Sequence, residues 1–400
     1  MESNNDQPNN KATARPRVIL GAIAVSLLIC EGGVRLLEAF NDQVHNLPVV
    51  SDMLRAGLLL DPYEIPSPQG GYHWVLKPNF AATIESLSEG KWNDGKEIGA
   101  KALQKIIEQS DANATPENLL TVNSDGFKGS EIDVSHSRVR ILTIGDSCTF
   151  GNGNQDYPRY LQKYLNKDMP RVEVINAGVE GYSSRNVNLE MDKYLKLKPE
   201  IVTIYLGWNS LYSDNPYESV IFENIRTLHY LSKITYMIRK FSVSEQEYAM
   251  EMYSRNLKPD KNGADVRKLD DYSPAFLWRL EKIIAQFQDA GTRVILLTLP
   301  GLFSMNETPS PFALKAGHLP EYTHNPYVLA KLTERYNEAL KRLAQDKGVD
   351  VVDMALWSET ALQPKEKYFS DSVHMTSGGM ELIGEYLAKE LSGMVENLVR

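Results

Sequence analysis

Four short blocks of this 400-residue chain carry the residue types that nucleophilic acyl chemistry needs. In "RILTIGDSCTFGNG" (140–153) an apolar, strand-like run ends abruptly at Gly145-Asp146-Ser147, which presents a hydroxyl at the end of a strand. Far downstream, "FSDSVHMTSGG" (369–379) places Asp371 three residues before His374. Between them lie "NAGVEGYSS" (176–184) and "GWNS" (207–210). A hydroxyl nucleophile needs a base, the base needs an orienting acid, and the developing oxyanion needs fixed donors. Ser147, His374 and Asp371 supply the first three roles. The backbone N–H groups of Ser147 and Gly178 and the side-chain amide of Asn209 are the candidate donors. Cys148 is a competing nucleophile, but Ser147 is favoured: at a tight strand-to-helix turn the neighbouring residue points elsewhere, and a free Cys usually behaves as a small buried hydrophobe. Asp146 reads as the cap of the turn. His318 and His324, in "KAGHLPEYTHNP", read as residues of a surface loop.

These residues must be held by elements, and the sequence shows a rhythm from residue 138 onward. "VRILTI" (139–144), "VEVIN" (172–176), "IVTIYL" (201–206), "RVILLTL" (293–299) and "VDVVDM" (349–354) are short, apolar and rich in β-branched residues. Strands buried on both faces of a parallel sheet have this composition. Helical stretches alternate with them: 183–195, then 275–290 with Ser273-Pro274 as start and Gly291 as stop, then 327–347 stopped by Gly348, then 377 to about 397. Alternation of this kind predicts an α/β sandwich whose ligands bind beyond the carboxyl ends of the strands. Each of the first three strands ends in one of the chemical blocks.

The four blocks, in this order, resemble the signature of the SGNH hydrolases, also called GDSL esterases and lipases. "GDSCTFG" resembles the serine block, "NAGVEGYSS" the glycine block, "GWNS" the asparagine block and "DSVHMTSGG" the histidine block. The resemblance covers residues 138–400. It implies a three-layer α/β/α sandwich with a five-stranded parallel sheet in flavodoxin-like order. It also implies a cofactor-free serine esterase in which Ser147, Gly178, Asn209, Asp371 and His374 form the site. Two positions depart from the family pattern: Ser210 stands where the asparagine block often has an acid, and Cys148 where the serine block often has an aliphatic residue. Three function classes follow: an ester hydrolase, an O-acyltransferase using the same acyl-enzyme, and a non-catalytic surface binding protein on a hydrolase scaffold.

Net charge of −9 and a pI near 5.4 leave no nucleic-acid footprint. Two cysteines make no disulfide framework, and no His/Cys/Asp cluster has metal-ligand spacing. Neither a cofactor nor a protein partner is expected; the substrate is an acylated small molecule, glycan or lipid. Near the N-terminus, Lys11, Arg15 and Arg17 precede the uncharged run "VILGAIAVSLLIC" (18–30). The run has a basic flank and no convincing cleavage site, so residues 18–40 are expected to form a retained single-pass membrane anchor. Residues 1–17 would be its cytoplasmic tail, with the catalytic part outside the cytoplasm. Residues 41–137 lack a period and are expected to form an irregular region packing on the main domain. Residues 211–272 are expected to be an insertion.

Overall fold

The structure is a computed structural model and describes residues 25–26, 28–33, 60–61, 63–68, 73–83, 119–167, 171–217 and 257–399. The expected anchor (18–40) lies largely outside these residues, as do much of the 41–137 region and residues 218–256 of the insertion. No helix among the described residues is long and apolar enough to cross a membrane.

The expected irregular region contains four short strands. β1 (Glu64–Pro66) pairs antiparallel with β2 (Trp74–Leu76), and β3 (Ala81–Ala82) with β4 (Leu120–Thr121). These strands are two or three residues long, too short for an alternating pattern to emerge from sequence.

The five expected apolar runs form one parallel sheet: β5 (Val139–Gly145), β6 (Val172–Gly178), β7 (Ile201–Tyr205), β8 (Arg293–Leu297) and β9 (Asp350–Val352). The spatial order is β6-β5-β7-β8-β9, all pairs parallel. This is the flavodoxin-like order, with a topological switch at β5, where neighbouring strands continue in opposite directions across the sheet. Every residue of β7 is buried, and β5 is buried from Arg140 onward, as expected of strands covered on both faces.

Helices cover both faces. β5 leads into α1 (Ser147–Phe150) and α2 (Tyr157–Leu165); β6 leads into α3 (Ser184–Leu189) and α4 (Met191–Lys196). β7 leads into α5 (Trp208–Ser213). After α6 (Ala264–Arg267) come α7 (Leu277–Asp289) before β8, and α8 (Pro311–Ala316) and α9 (Pro326–Lys347) before β9. α10 (Met354–Ala361), α11 (Lys365–Tyr368) and α12 (Ser377–Val399) close the chain. α12 packs on α2, whereas α7 packs on α3 and α9.

Three helical segments differ from expectation. The helix expected over 183–195 is two helices, with Glu190 as the residue between them. α7 starts at Leu277 without a side-chain cap, so Ser273 is not its N-cap. α2 was not anticipated, although Asp156 caps it by accepting from the Arg159 N–H and Pro158 sits in its first turn.

The junction of β5 with α1 sets the position of the nucleophile. Asp146 Oδ1 accepts the Cys148 N–H at 2.9 Å, and the Asp146 carbonyl accepts the Phe150 N–H. The neighbouring strand closes on this turn. A Cβ on Gly178, the last residue of β6, would stand 2.3 Å from Phe150 N and 2.7 Å from Thr149 C. Glycine is needed there because backbone meets backbone, which leaves nothing flexible to yield.

Candidate active site

The structure brings three of the expected residues into a single hydrogen-bonded chain. Ser147, the first residue of α1, sits half-buried at the carboxyl end of β5, with Oγ 2.7 Å from His374 Nε2. His374 Nδ1 lies 2.7 Å from Asp371 Oδ2. Asp371 Oδ1 accepts two backbone N–H groups, from Val373 at 2.9 Å and from His374 at 2.8 Å. The three-residue spacing is therefore what lets the carboxylate fold its own loop and hold the imidazole. The bridge Phe369↔Met375 and the bond from Ser370 N–H to the His374 carbonyl close this loop before α12 begins.

Electrostatics assign the roles. Burial raises the Asp371 carboxyl, but the charge and hydrogen bond of His374 outweigh burial, with a smaller push from His318, and bring it down to about 2. Asp371 is thus ionised throughout the working range. Burial alone would lower the His374 imidazole; Asp371, with Asp146 and Glu180 behind it, raises it above its ordinary value. The imidazole is therefore a stronger base than free histidine, while 32% side-chain exposure keeps it accessible.

Cys148 has no such preparation. Its thiol is buried, lies 3.5 Å from the Val373 carbonyl, and is pushed well above the usual thiol range by burial and then by Asp146 and Asp371. A protonated buried thiol is a poor nucleophile. Asp146 is itself fully buried, and burial lifts its carboxyl to about 6 against the opposing pull of the Cys148 N–H and His374.

The expected oxyanion donors divide. Because Ser147 begins α1, no intrahelical carbonyl claims its N–H. Asn209, in the first turn of α5, donates one amide hydrogen to the Tyr182 carbonyl at 2.9 Å and keeps a second. The third expectation needs correction: the Gly178 N–H donates to Asn176 Oδ1 at 2.9 Å, so Gly178 is a close-packing glycine and not a donor to the site. The next glycine in the block behaves differently. Tyr182 N–H bonds the Val179 carbonyl, which closes a turn over Val179, Glu180, Gly181 and Tyr182. Gly181 has φ +75°, the left-handed value a type II turn asks of its third residue. The turn uses the Tyr182 N–H, and the Gly181 N–H at its tip makes no hydrogen bond among the described residues.

His318 also departs from expectation. It is half-buried, with Nδ1 4.0 Å from Asp371 Oδ1 and its ring parallel to that of His374 at 6.4 Å. Burial lowers its pKa despite Asp371, so it stays neutral where His374 is active. Its loop is tied to the catalytic loop by the bond from its N–H to Ser372 Oγ, and to α5 by Tyr212 OH on its carbonyl. His324 has no comparable place beside the catalytic residues: its carbonyl accepts the Lys258 N–H.

Residues 143–382, more than half of the chain and spanning every residue of this site, match the GDSL-like lipase/acylhydrolase family. The chain belongs to that family. It is a GDSL-type ester hydrolase. Similar solved structures include the acetyl xylan esterase AlAXEase, with 17% identity over 63% of this chain and 100% of the other and a TM-score of 0.40. An acetyl xylan esterase from Geobacillus stearothermophilus shares 16% over 64% and 95%, with a TM-score of 0.40. The lipase/acylhydrolase from Enterococcus faecalis shares 17% over 64% and 96%, with a TM-score of 0.37. No curated protein matches the sequence.

The pH dependence of this GDSL-type hydrolase should report the Asp371–His374 pair. Only neutral His374 can accept a proton, so kcat/KM should rise with pH through a midpoint above the free-histidine value of about 6.5. Asp371→Asn removes the main cause that raises the imidazole, so the midpoint should move down in pH. The plateau should also fall, by about 10²–10⁴-fold. A pH–rate series on both proteins checks the sign; an unmoved or upward-shifted midpoint would contradict the assigned pairing.

Proposed function

We propose that Ser147 attacks an ester-linked acyl or acetyl group carried by a cell-surface glycan or lipid, and that water then releases the acid. The uninterrupted chain from Ser147 Oγ through His374 to Asp371 is the observation that carries this reading. As Oγ attacks the acyl carbonyl carbon, His374 Nε2 takes its proton, and the Asp371 carboxylate stabilises the imidazolium that forms. The oxyanion is met by the Ser147 N–H, the second Asn209 amide hydrogen and the tip of the Val179–Tyr182 turn. His374 then returns the proton to the departing alkoxide, the ester C–O bond breaks, and an acyl-enzyme remains. Water, deprotonated by His374, attacks that acyl-enzyme and regenerates Ser147.

The cell-surface placement rests on the basic residues Lys11, Arg15 and Arg17 ahead of the uncharged run 18–30. Such an anchor would hold the esterase beside envelope polymers and lipids.

Two measurements test these statements. With 4-nitrophenyl acetate, wild-type protein should release one equivalent of acetate per nitrophenol, and Ser147→Ala should lose at least about 10³-fold in kcat. A Ser147→Ala variant that keeps wild-type turnover would sink the mechanism, and acetyl transfer to added sugar in place of free acetate would make the protein a transferase. For location, full-length protein should stay with membranes through an alkaline carbonate wash; unprocessed protein recovered wholly in the supernatant would refute the anchor.

A further inference from the structure

The β1–β2 pair precedes the family-matching residues, yet it touches the catalytic machinery at several points. The Trp74 indole Nε1–H donates to the Glu180 carbonyl at 3.1 Å. In return, the Tyr182 hydroxyl donates to the Trp74 carbonyl. These two bonds form a reciprocal clasp across the Val179–Tyr182 turn. The indole also lies against the turn's glycine: a Cβ on Gly181 would be 3.0 Å from Trp74 Cζ2. The Trp74 and Tyr182 rings meet edge to face at 5.7 Å.

Tyr63, immediately before β1, adds a second hold. Its hydroxyl donates to the Glu180 carboxylate, and its ring stacks on Phe150 at 5.2 Å and 19°. Phe150 is the last residue of α1, the helix that Ser147 begins. The pairing Glu64↔Leu76, Ile65↔Val75 and Pro66↔Trp74 makes Tyr63 and Trp74 one unit, and the bond from Lys77 N–H to the Tyr63 carbonyl reinforces it. Beneath this unit His73, only 1% exposed, bonds Glu190 at 2.8 Å and fixes β2 to the end of α3.

The clasped turn is part of the catalytic surround. Its entry is tied to the nucleophile's strand by Val179 N–H on the Gly145 carbonyl, its exit accepts the Asn209 amide, and the Glu180 carboxylate helps to raise His374. An unbraced turn would let the Gly181 N–H at its tip and Asn209 drift together, and small misplacements of groups that act only on the transition state lower kcat more than binding.

We infer that the β1–β2 pair is a positioning element of the active site: Trp74 and Tyr63 hold the Val179–Tyr182 turn in its oxyanion-binding geometry. This inference rests on the serine-esterase reading above.

Trp74→Phe in the full-length protein tests it: Phe keeps an aromatic side chain on β2 but removes the Nε1–H donor together with indole atoms that meet Gly181. With 4-nitrophenyl acetate, kcat should fall about tenfold and KM should stay within about twofold. The pH midpoint should not move, and kcat should stay low at temperatures where the variant is fully folded. Tyr182→Phe should behave alike, and the double variant should be no worse than the weaker single, as expected for partners in one clasp. If either variant fails to fold, Tyr63→Phe takes its place; it removes the bond to Glu180 and keeps the stack on Phe150. Wild-type kcat in these variants would overturn the inference, as would losses of kcat that vanish at temperatures where the variants are fully folded. Failure of the underlying reading looks different: Ser147→Ala would then keep its activity, whereas an inactive Ser147→Ala beside a fully active Trp74→Phe defeats the clasp alone.

Discussion

The hydrogen bond between Ser147 Oγ and His374 Nε2 joins residues 227 positions apart in sequence, and most of the fold exists to keep that distance at 2.7 Å. One end is set by β5, central enough to pair with both β6 and β7, and by the four-residue helix that Asp146 caps. The other end is set by Asp371, which accepts backbone N–H groups from its own loop with one oxygen and the imidazole with the other. Hydrogen bonds of this kind are strong because one partner is charged and water is partly shut out. Neither end could be placed by local preference. The parallel sheet supplies a rigid floor, and the loop after α11 bends back over it.

Charge follows from this arrangement. Three carboxylates, those of Asp371, Asp146 and Glu180, act on one imidazole from different directions, and all favour its protonated form. They differ in what they cost the fold. Asp371 is held low by its partner, whereas Asp146 is fully buried and its carboxyl rises to about 6. The structure keeps Asp146 because its other work is local: it accepts the Cys148 N–H and so shapes the turn that exposes Ser147. The same burial that lifts Asp146 silences Cys148, so two adjacent potential nucleophiles are separated by environment and not by distance.

Much of this was legible in the sequence. The five strands showed as short runs rich in β-branched residues, most of them largely buried, and the Asp371–His374 spacing showed because one loop makes the contact. What stayed hidden depended on backbone conformation or on contacts between distant segments. "NAGVEGYSS" contains two glycines, and only the structure separates Gly178, where strand meets helix backbone, from Gly181, at positive φ in the turn. His318 sits in a loop without periodicity, and its neighbours come from the other end of the chain. Trp74 and Tyr63 lie in or beside strands too short to announce themselves. α2 could have been found: Asp156 followed by Pro158 is a helix-start signal.

The central claim is that Ser147, activated by His374, is the nucleophile. Peptide mapping by mass spectrometry after treatment with an alkyl fluorophosphonate addresses it directly, because the adduct marks the attacking atom. The account predicts one adduct, on Ser147, that fails to form in His374→Ala at the same exposure. An adduct on Cys148, or labelling of Ser147 that proceeds at an undiminished rate without His374, would contradict it.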